Sequence, residues 1–314
     1  MKIERPGIYQ DMASADYFSD PCPATSLTQS IAKILLAQSP LHAWHAHPRL
    51  NPDWRPDDDT KFDVGNVAHK LMIGRGKEIE VLEAPDWNAT GMGKGAKTEL
   101  HARRDAARAD GKVAVLGKTV SRADRMVKAA HEQLELRGLG NLFNEGVGEV
   151  VTAWQEPGGW WCRQMIDWLT PNRRMFADFK TTDMSVAPQG LGRMMANAGW
   201  PIQAAMAERG LDILDPENAG RRRFFFVVQE TTVPYALNVV EIAEGPLTMG
   251  RKMLDMAFHI WKDCIMRDRW PGYPPEIVVP QYPSWAESQF LEREIAAEEK
   301  RRDREPMLTD LRGG

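Results

Sequence analysis

Residues 149–180 read EVVTAWQEPGGWWCRQMIDWLTPNRRMFADFK, and the reading of the fold turns on them. From Glu149 to Gln155 the chain alternates, with Val150, Val151 and Trp154, the period-two pattern of a strand. Pro157-Gly158-Gly159 is a turn signal. Residues 160–169 return as a second strand, Pro171-Asn172 turns again, and residues 174–180 form a third. Three strands joined by such short turns make a meander. Residues two apart on a strand share a face. Asp178 and Lys180 therefore project together, while Ala177 and Phe179 point the other way, into the core. If the second and third strands pair antiparallel across the Pro171 turn, Asp167 lies beside them. Two carboxylates and one ammonium then converge in otherwise apolar strands: Met165-Ile166 precedes Asp167, and Met175-Phe176-Ala177 precedes Asp178. Such charges are costly to bury without a metal or partner.

Working outward, residues 26–46 read as a helix with Ser26 as N-cap, bent or restarted at Pro40. A Pro- and Asp-rich loop covers 48–60, and a helix over 62–73 ends near Gly74 and Gly76. A short strand is expected at 78–82, a mobile glycine-rich segment at 88–97, and helices at 98–110 and 118–137. Beyond the meander come helices at 188–197 and 201–209, strands at 223–229 and 234–242, and a long helix at 247–268. Residues 270–283 are extended and proline-rich, and 285–304 read as a charged helix followed by a short disordered tail. Helix, three strands, helix, strand is an α/β arrangement with helices packed on a mixed sheet. The expected division is an N-terminal extension (1–24), one domain (25–283) and a charged helical tail (284–314). Within that domain a helical part (25–140) precedes a sheet core (145–243) and a closing part (244–283).

Composition narrows the class. With 314 residues, 43% hydrophobic and 27% charged, the chain has ordinary globular composition. No apolar run approaches a membrane span, and the polar, acidic first twenty residues lack signal-peptide order. A cytoplasmic location without membrane attachment is expected. Cys22, Cys162 and Cys264 are too few and too scattered for a disulfide framework or a four-cysteine iron–sulfur cluster. Net charge is −4, from 40 Lys and Arg against 44 Asp and Glu. Basic residues still gather locally, at Lys94 to Arg108, at Arg173-Arg174 and at Arg221 to Arg223. Such groups would grip a polyanion if they shared a face, although charge clusters are more often solvated surface. His42, His45 and His47 form a local cluster whose spacing suits no closed zinc site. Among eleven tryptophans, Trp160-Trp161 and Trp261 read as core.

Asp167, Asp178 and Lys180 suit phosphodiester hydrolysis. A hard divalent cation prefers oxygen ligands, acidifies a bound water and neutralises charge on the phosphate. A neighbouring lysine orients or deprotonates the attacking water, or stabilises the developing charge. A bare D-x-K triplet is usually a surface pair; the apolar strands around this one argue for a site.

The stretch Cys162-Arg163-Gln164-Met165-Ile166-Asp167-Trp168-Leu169, followed by Ala177-Asp178-Phe179-Lys180-Thr181-Thr182, resembles the core of RecE-like nucleases. These are exodeoxyribonuclease VIII-type enzymes of the RecB-type branch of the PD-(D/E)xK superfamily. Ser39-Pro40-Leu41-His42-Ala43-Trp44, Gly65-Asn66-Val67-Ala68-His69, Glu149, Gln203 and Trp270-Pro271-Gly272-Tyr273 extend the resemblance over residues 25–283. It implies a PD-(D/E)xK restriction-endonuclease-like core of αβββαβ order with flanking N-terminal helices. The implied activity is 5′→3′ exonuclease action on linear double-stranded DNA ends, with Mg²⁺ or Mn²⁺, in recombination or phage-type DNA processing. By the same resemblance His69, Asp167, Asp178 and the Phe179 carbonyl are metal ligands and Lys180 is the catalytic lysine. Glu149 is an accessory acid, and Gln203 hydrogen-bonds near the lysine or the DNA end. A single-strand annealing protein and a ring-shaped homo-oligomer are the implied partners, with Lys94 to Arg108 and Arg221 to Arg223 lining the channel.

The chain departs from the pattern at two places. Ala207 stands where the family has a tyrosine, and Gln164-Met165 where a second basic residue is usual; both bear on substrate grip rather than chemistry. An endonuclease or Cas4-like nuclease of the same superfamily, and a non-cleaving DNA or recombination-partner scaffold, remain alternatives at this stage.

Overall fold

The structure is a computed structural model that describes residues 1–55 and 63–310. In chain order the first half holds β1 (Gly7–Tyr9), α1 (Ser14–Phe18), α2 (Gln29–Ala37), α3 (Pro40–Ala46), α4 (Asp63–Ile73), β2 (Ile79–Leu82), α5 (Lys94–Ala109), β3 (Val113–Leu116) and α6 (Gly117–Glu135). The second half holds β4 (Val147–Glu156), β5 (Trp160–Leu169), β6 (Met175–Thr182), α7 (Pro188–Asn197), α8 (Trp200–Leu214), β7 (Arg223–Glu230), β8 (Leu237–Glu241), α9 (Glu244–Arg267) and α10 (Ser284–Asp310). The chain divides into two units, Met1–Gly272 and Tyr273–Gly314. The second comprises an extended segment and α10, whose described residues are almost all exposed.

The meander sits in a six-stranded mixed sheet of order β1-β4-β5-β6-β7-β8. β6 and β7 are parallel, and every other pairing in this sheet is antiparallel. The parallel step needs a crossover, which α7 and α8 supply. Strand alternation divides the core between two faces. Ala177, Phe179, Phe225 and Val227 pack with Val67, Ala68, Met126 and Ala130 of α4 and α6. Phe176 packs with Ala207 and Leu211 of α8, and Phe226 and Val228 with its Trp200 and Ala204. The sheet is thus covered on both sides, as the α/β reading requires.

Several local expectations are corrected. The N-cap of α2 is Thr28, whose side chain accepts from the Ile31 N–H. Ser26 is instead held by Asp20, to which its hydroxyl donates, and by Arg163. Pro40 restarts the helix as the first residue of α3, with Ser39 capping it. α5 begins at Lys94, inside the segment expected to be mobile. β1, α1 and β3 had no counterpart in the sequence reading, and α10 runs on past Arg304 to Asp310. Part of the 48–60 loop, Phe62 at the expected start of α4 and the last four residues lie outside the described residues.

Two glycines press α4 onto the sheet. A β carbon at Gly65 would lie 2.5 Å from Thr181 Oγ1 on β6. One at Gly148 on β4 would lie 2.7 Å from the Ile73 carbonyl at the far end of α4. No larger residue fits either contact without moving the helix, and His69 lies between them.

Candidate active site

The strand registers build the site. β4 pairs with β5 through Gly148↔Trp168 and Val150↔Ile166, which sets Glu149 across from Asp167. β5 pairs with β6 through Leu169↔Phe176 and Trp168↔Ala177, and Asp167 and Asp178 follow directly beyond the last paired rung. One row over three adjacent strands therefore carries three carboxylates. The β5–β6 ladder ends there, and the Phe179 N–H donates to Asp167 Oδ2 at 3.0 Å. The N–H and C=O of a strand residue leave by the same edge, so the Phe179 carbonyl opens toward the same fork.

The remaining groups come from α4, α8 and the strands themselves. His69 of α4 places Nε2 3.4 Å from Asp167 Oδ2. Lys180 Nζ lies 2.5 Å from Asp178 Oδ1. Gln203 of α8 donates through Nε2 to Asp178 Oδ2, so its partner is the carboxylate rather than the lysine. Glu149 has φ +50°, which turns it out of regular strand geometry, and it accepts from Ser14 Oγ of α1 at 2.9 Å. Its Oε1 and His69 Nδ1 are each 3.6 Å from one point, the β-carbon position of Gly76. Sequence reasoning missed Ser14: nothing in a polar N-terminal stretch marks it as the partner of a buried glutamate.

Charge in the row is unevenly distributed. Burial, reinforced by Asp167, raises the Asp178 carboxyl above its ordinary range against the pull of Lys180. Burial also opposes ionisation of Asp167, but His69, Lys180 and the Phe179 amide outweigh it and hold that group low. His69 is raised, because Asp167, Glu149 and Asp178 overcome the effect of burial. Lys180 is raised for the same reason, by Asp178 and Asp167. These charges remain together only because each compensates another.

The donors suit a divalent cation. Carboxylate, imidazole and backbone carbonyl are ligands for hard and borderline ions. Asp178 Oδ1 is buried and receives no hydrogen bond of regular geometry. Among the described residues no group of three His, Cys, Asp or Glu side chains is arranged to hold an ion outright; Lys180 and Gln203 occupy the two oxygens of Asp178. A cavity of about 1610 Å³ reaches Glu149 from the side of the N-terminal helices, lined also by Ser30, Trp54, Asn66, Arg75 and Lys77.

Other candidates fall elsewhere. His47 is fully buried, bonded to the Ser26 carbonyl and 3.4 Å from Asp20, so the histidine cluster does not converge. Arg163 pairs with Asp20 and bonds the Tyr17 carbonyl. Ala207 is core, under Phe176. Arg222 is buried against Asp212 and Asp215, whereas Arg223 is exposed and pairs with Glu241. Trp161 and Trp261 are buried, whereas Trp160 is half-buried under Lys262.

A mixed sheet covered on both faces, with D and DxK acids on adjacent strands and a helical histidine, defines a PDDEXK-like protein. The chain belongs to the family described as "PDDEXK-like domain of unknown function (DUF3799)", whose model matches residues 33–278. No curated protein matches it. Among solved structures it is similar to one from Eubacterium rectale described as a "Putative exonuclease". That match has 10% identity and a TM-score of 0.55, and covers 90% of this chain and 96% of that one. A likeness to SSO0001, at 14% identity over 68% of this chain and 89% of that one, has a TM-score of 0.25 and carries no argument. Among the described residues no helix is long and apolar enough to cross a membrane.

Proposed function

We propose that this chain is a divalent-metal-dependent DNA nuclease that degrades linear duplex DNA from its ends in the 5′→3′ direction, with Mg²⁺ or Mn²⁺. The observation that carries the cleavage reading is the row Glu149–Asp167–Asp178 with Lys180 beside it. A scaffold freed from catalysis has no reason to keep like charges buried at adjacent rungs. End-directed action and its polarity rest on the RecE-like resemblance. So do the annealing-protein partner and the ring-shaped homo-oligomer, which light scattering at working concentration tests. A monomer that degrades long DNA processively would remove the ring.

Asp167, Asp178, His69 and the Phe179 carbonyl would hold the ion. When bound, it supplies Lewis-acid polarisation of the phosphate and an acidified water. Gln203 fixes the Asp178 carboxylate by donating to one of its oxygens. Lys180 holds its ammonium at the other oxygen and at the reacting phosphate, where it orients the nucleophile or stabilises developing charge. Glu149, fixed by Ser14, borders the cavity and orients water at the opposite end of the row.

The test is purified protein on end-labelled linear and covalently closed circular DNA, with and without Mg²⁺. Cleavage of linear DNA alone, only with metal, is expected. Cleavage of both would make it an endonuclease, and binding without cleavage would make it a scaffold.

A further inference from the structure

Lys33 takes no part in the chemistry derived so far. Its methylene stem lies over Gly199, the left-handed residue (φ +62°) that opens α8. A β carbon there would be 3.1–3.3 Å from Lys33 Cε, Cδ and Cγ. α8 is the helix that carries Gln203 to Asp178. The stem therefore runs from α2 across the start of α8 toward the Lys180 end of the row. No ion pair or hydrogen bond to Lys33 is found among the described residues. Asp178 acts on it through its charge, but forms its contacts with Lys180 and Gln203. A lysine that merely snorkels carries its charge out to water. This one stays half-buried, within the field of a second ammonium.

We infer that Lys33 is a phosphate-binding residue of this site, its ammonium placed with that of Lys180 against the phosphodiester of the substrate strand. Lys180 is paired with Asp178, whereas the Lys33 ammonium at this end of the row has no anion of its own among the described residues. The missing anion is what a nucleic-acid backbone supplies. Burial and the charge of Lys180, against the pull of Asp178, lower the Lys33 ammonium to about 8; a bound phosphate would oppose that. α2 also lines the cavity through Ser30 and Ile34, so one helix serves both the approach and the phosphate. The inference rests on the nuclease reading for the identity of the polyanion.

The test is Lys33→Met, which keeps the stem over Gly199 and removes only the charge. Binding of a short labelled DNA duplex is measured in EDTA, where no cleavage occurs, across a salt series. Affinity should fall severalfold, and the slope of log K against log salt should shrink by about 0.9, the value of one phosphate contact. Lys33→Arg should restore the slope. The melting temperature of Lys33→Met should hold or rise, because an unpaired buried charge is gone. Unchanged affinity and slope in Lys33→Met would overturn the inference, as would an arginine variant whose slope stays reduced. If the wild-type protein binds with the expected slope but never cuts with Mg²⁺, the nuclease reading fails and the phosphate contact stands. If it cuts and the slope of Lys33→Met is unchanged, only the phosphate contact fails. Absence of any DNA binding by the wild type sinks both.

Discussion

Replacing Gly65 by alanine sets a methyl group 2.5 Å from Thr181 Oγ1, where ordinary contact begins at 3.4 Å. Thr181 is β-branched and stiff at χ1 on a strand, so α4 must back away by about 0.9 Å at that end. The other end is fixed by the Gly148–Ile73 contact. His69 lies midway between residues 65 and 73, so it should inherit about half the shift, roughly 0.5 Å on a rigid helix. A misplacement of about 1 Å is worth about a hundredfold in rate, so roughly a tenfold loss is expected. Stability should fall by about 0–2 kcal/mol, since overpacking costs about 1–3 kcal/mol and removing a helical glycine returns about 1 kcal/mol. The assay pairs initial rates on end-labelled linear duplex with melting curves for Gly65→Ala, Thr181→Ala and the double variant. Thr181→Ala removes the obstructing hydroxyl, so the double variant should recover most of the rate. Wild-type rate in Gly65→Ala, or a double variant as slow as the single, would refute the lever argument.

Three further outcomes are expected. Asp178→Asn should reduce metal-dependent cleavage by about 10²–10³-fold, the scale for a group acting on transition-state charge. At neutral pH it should also raise the melting temperature of the metal-free protein, because a carboxyl whose folded value is raised opposes folding when ionised; undiminished cleavage removes Asp178 from the site. His69→Ala should raise the Mg²⁺ needed for half-maximal rate by about tenfold or more, whereas a structural histidine would lower the melting temperature and leave the metal titration unmoved. The third concerns acid. Burial, with Arg163 and against the pull of Asp20, holds His47 down at about 4 instead of 6.5. The unfolded chain then binds the extra proton, so the stability His47 contributes above pH 6.5 should be lost as pH falls toward 4, by roughly 3 kcal/mol. Urea melts at both ends of that window should show a smaller loss for His47→Gln, and an equal loss would exclude His47 as the cause.

The sheet was legible because its strands alternate and its turns are marked by Gly, Pro and Asn. Face parity alone was enough to bring Asp178 and Lys180 together. What escaped the reading lacked a local signature. β1 has three residues and exists only because it pairs with the edge of β4. Ile3, Met12 and Tyr17 are buried yet scattered through a polar stretch. β3 is VAVL, buried at all four positions in a parallel two-stranded ladder, and such a run has no alternation to detect. Thr28 displaced Ser26 as the α2 cap because Asp20 and Arg163, distant in sequence, claimed the Ser26 hydroxyl. The positive φ of Glu149 and its Ser14 partner depend on tertiary packing alone.

Placing the three acids on one cross-strand row ties assembly of the proposed site to strand pairing. A slip of one residue between β4 and β5, or between β5 and β6, would carry a charge to the opposite sheet face. On β6 that face carries Ala177 and Phe179, which meet α4 and α6. A misregistered chain would thus be inactive and also burdened with an ionised group in its core. Proofreading of the β-sheet is therefore built into the proposed site: the charges assigned to cleavage would also reject wrong alignments.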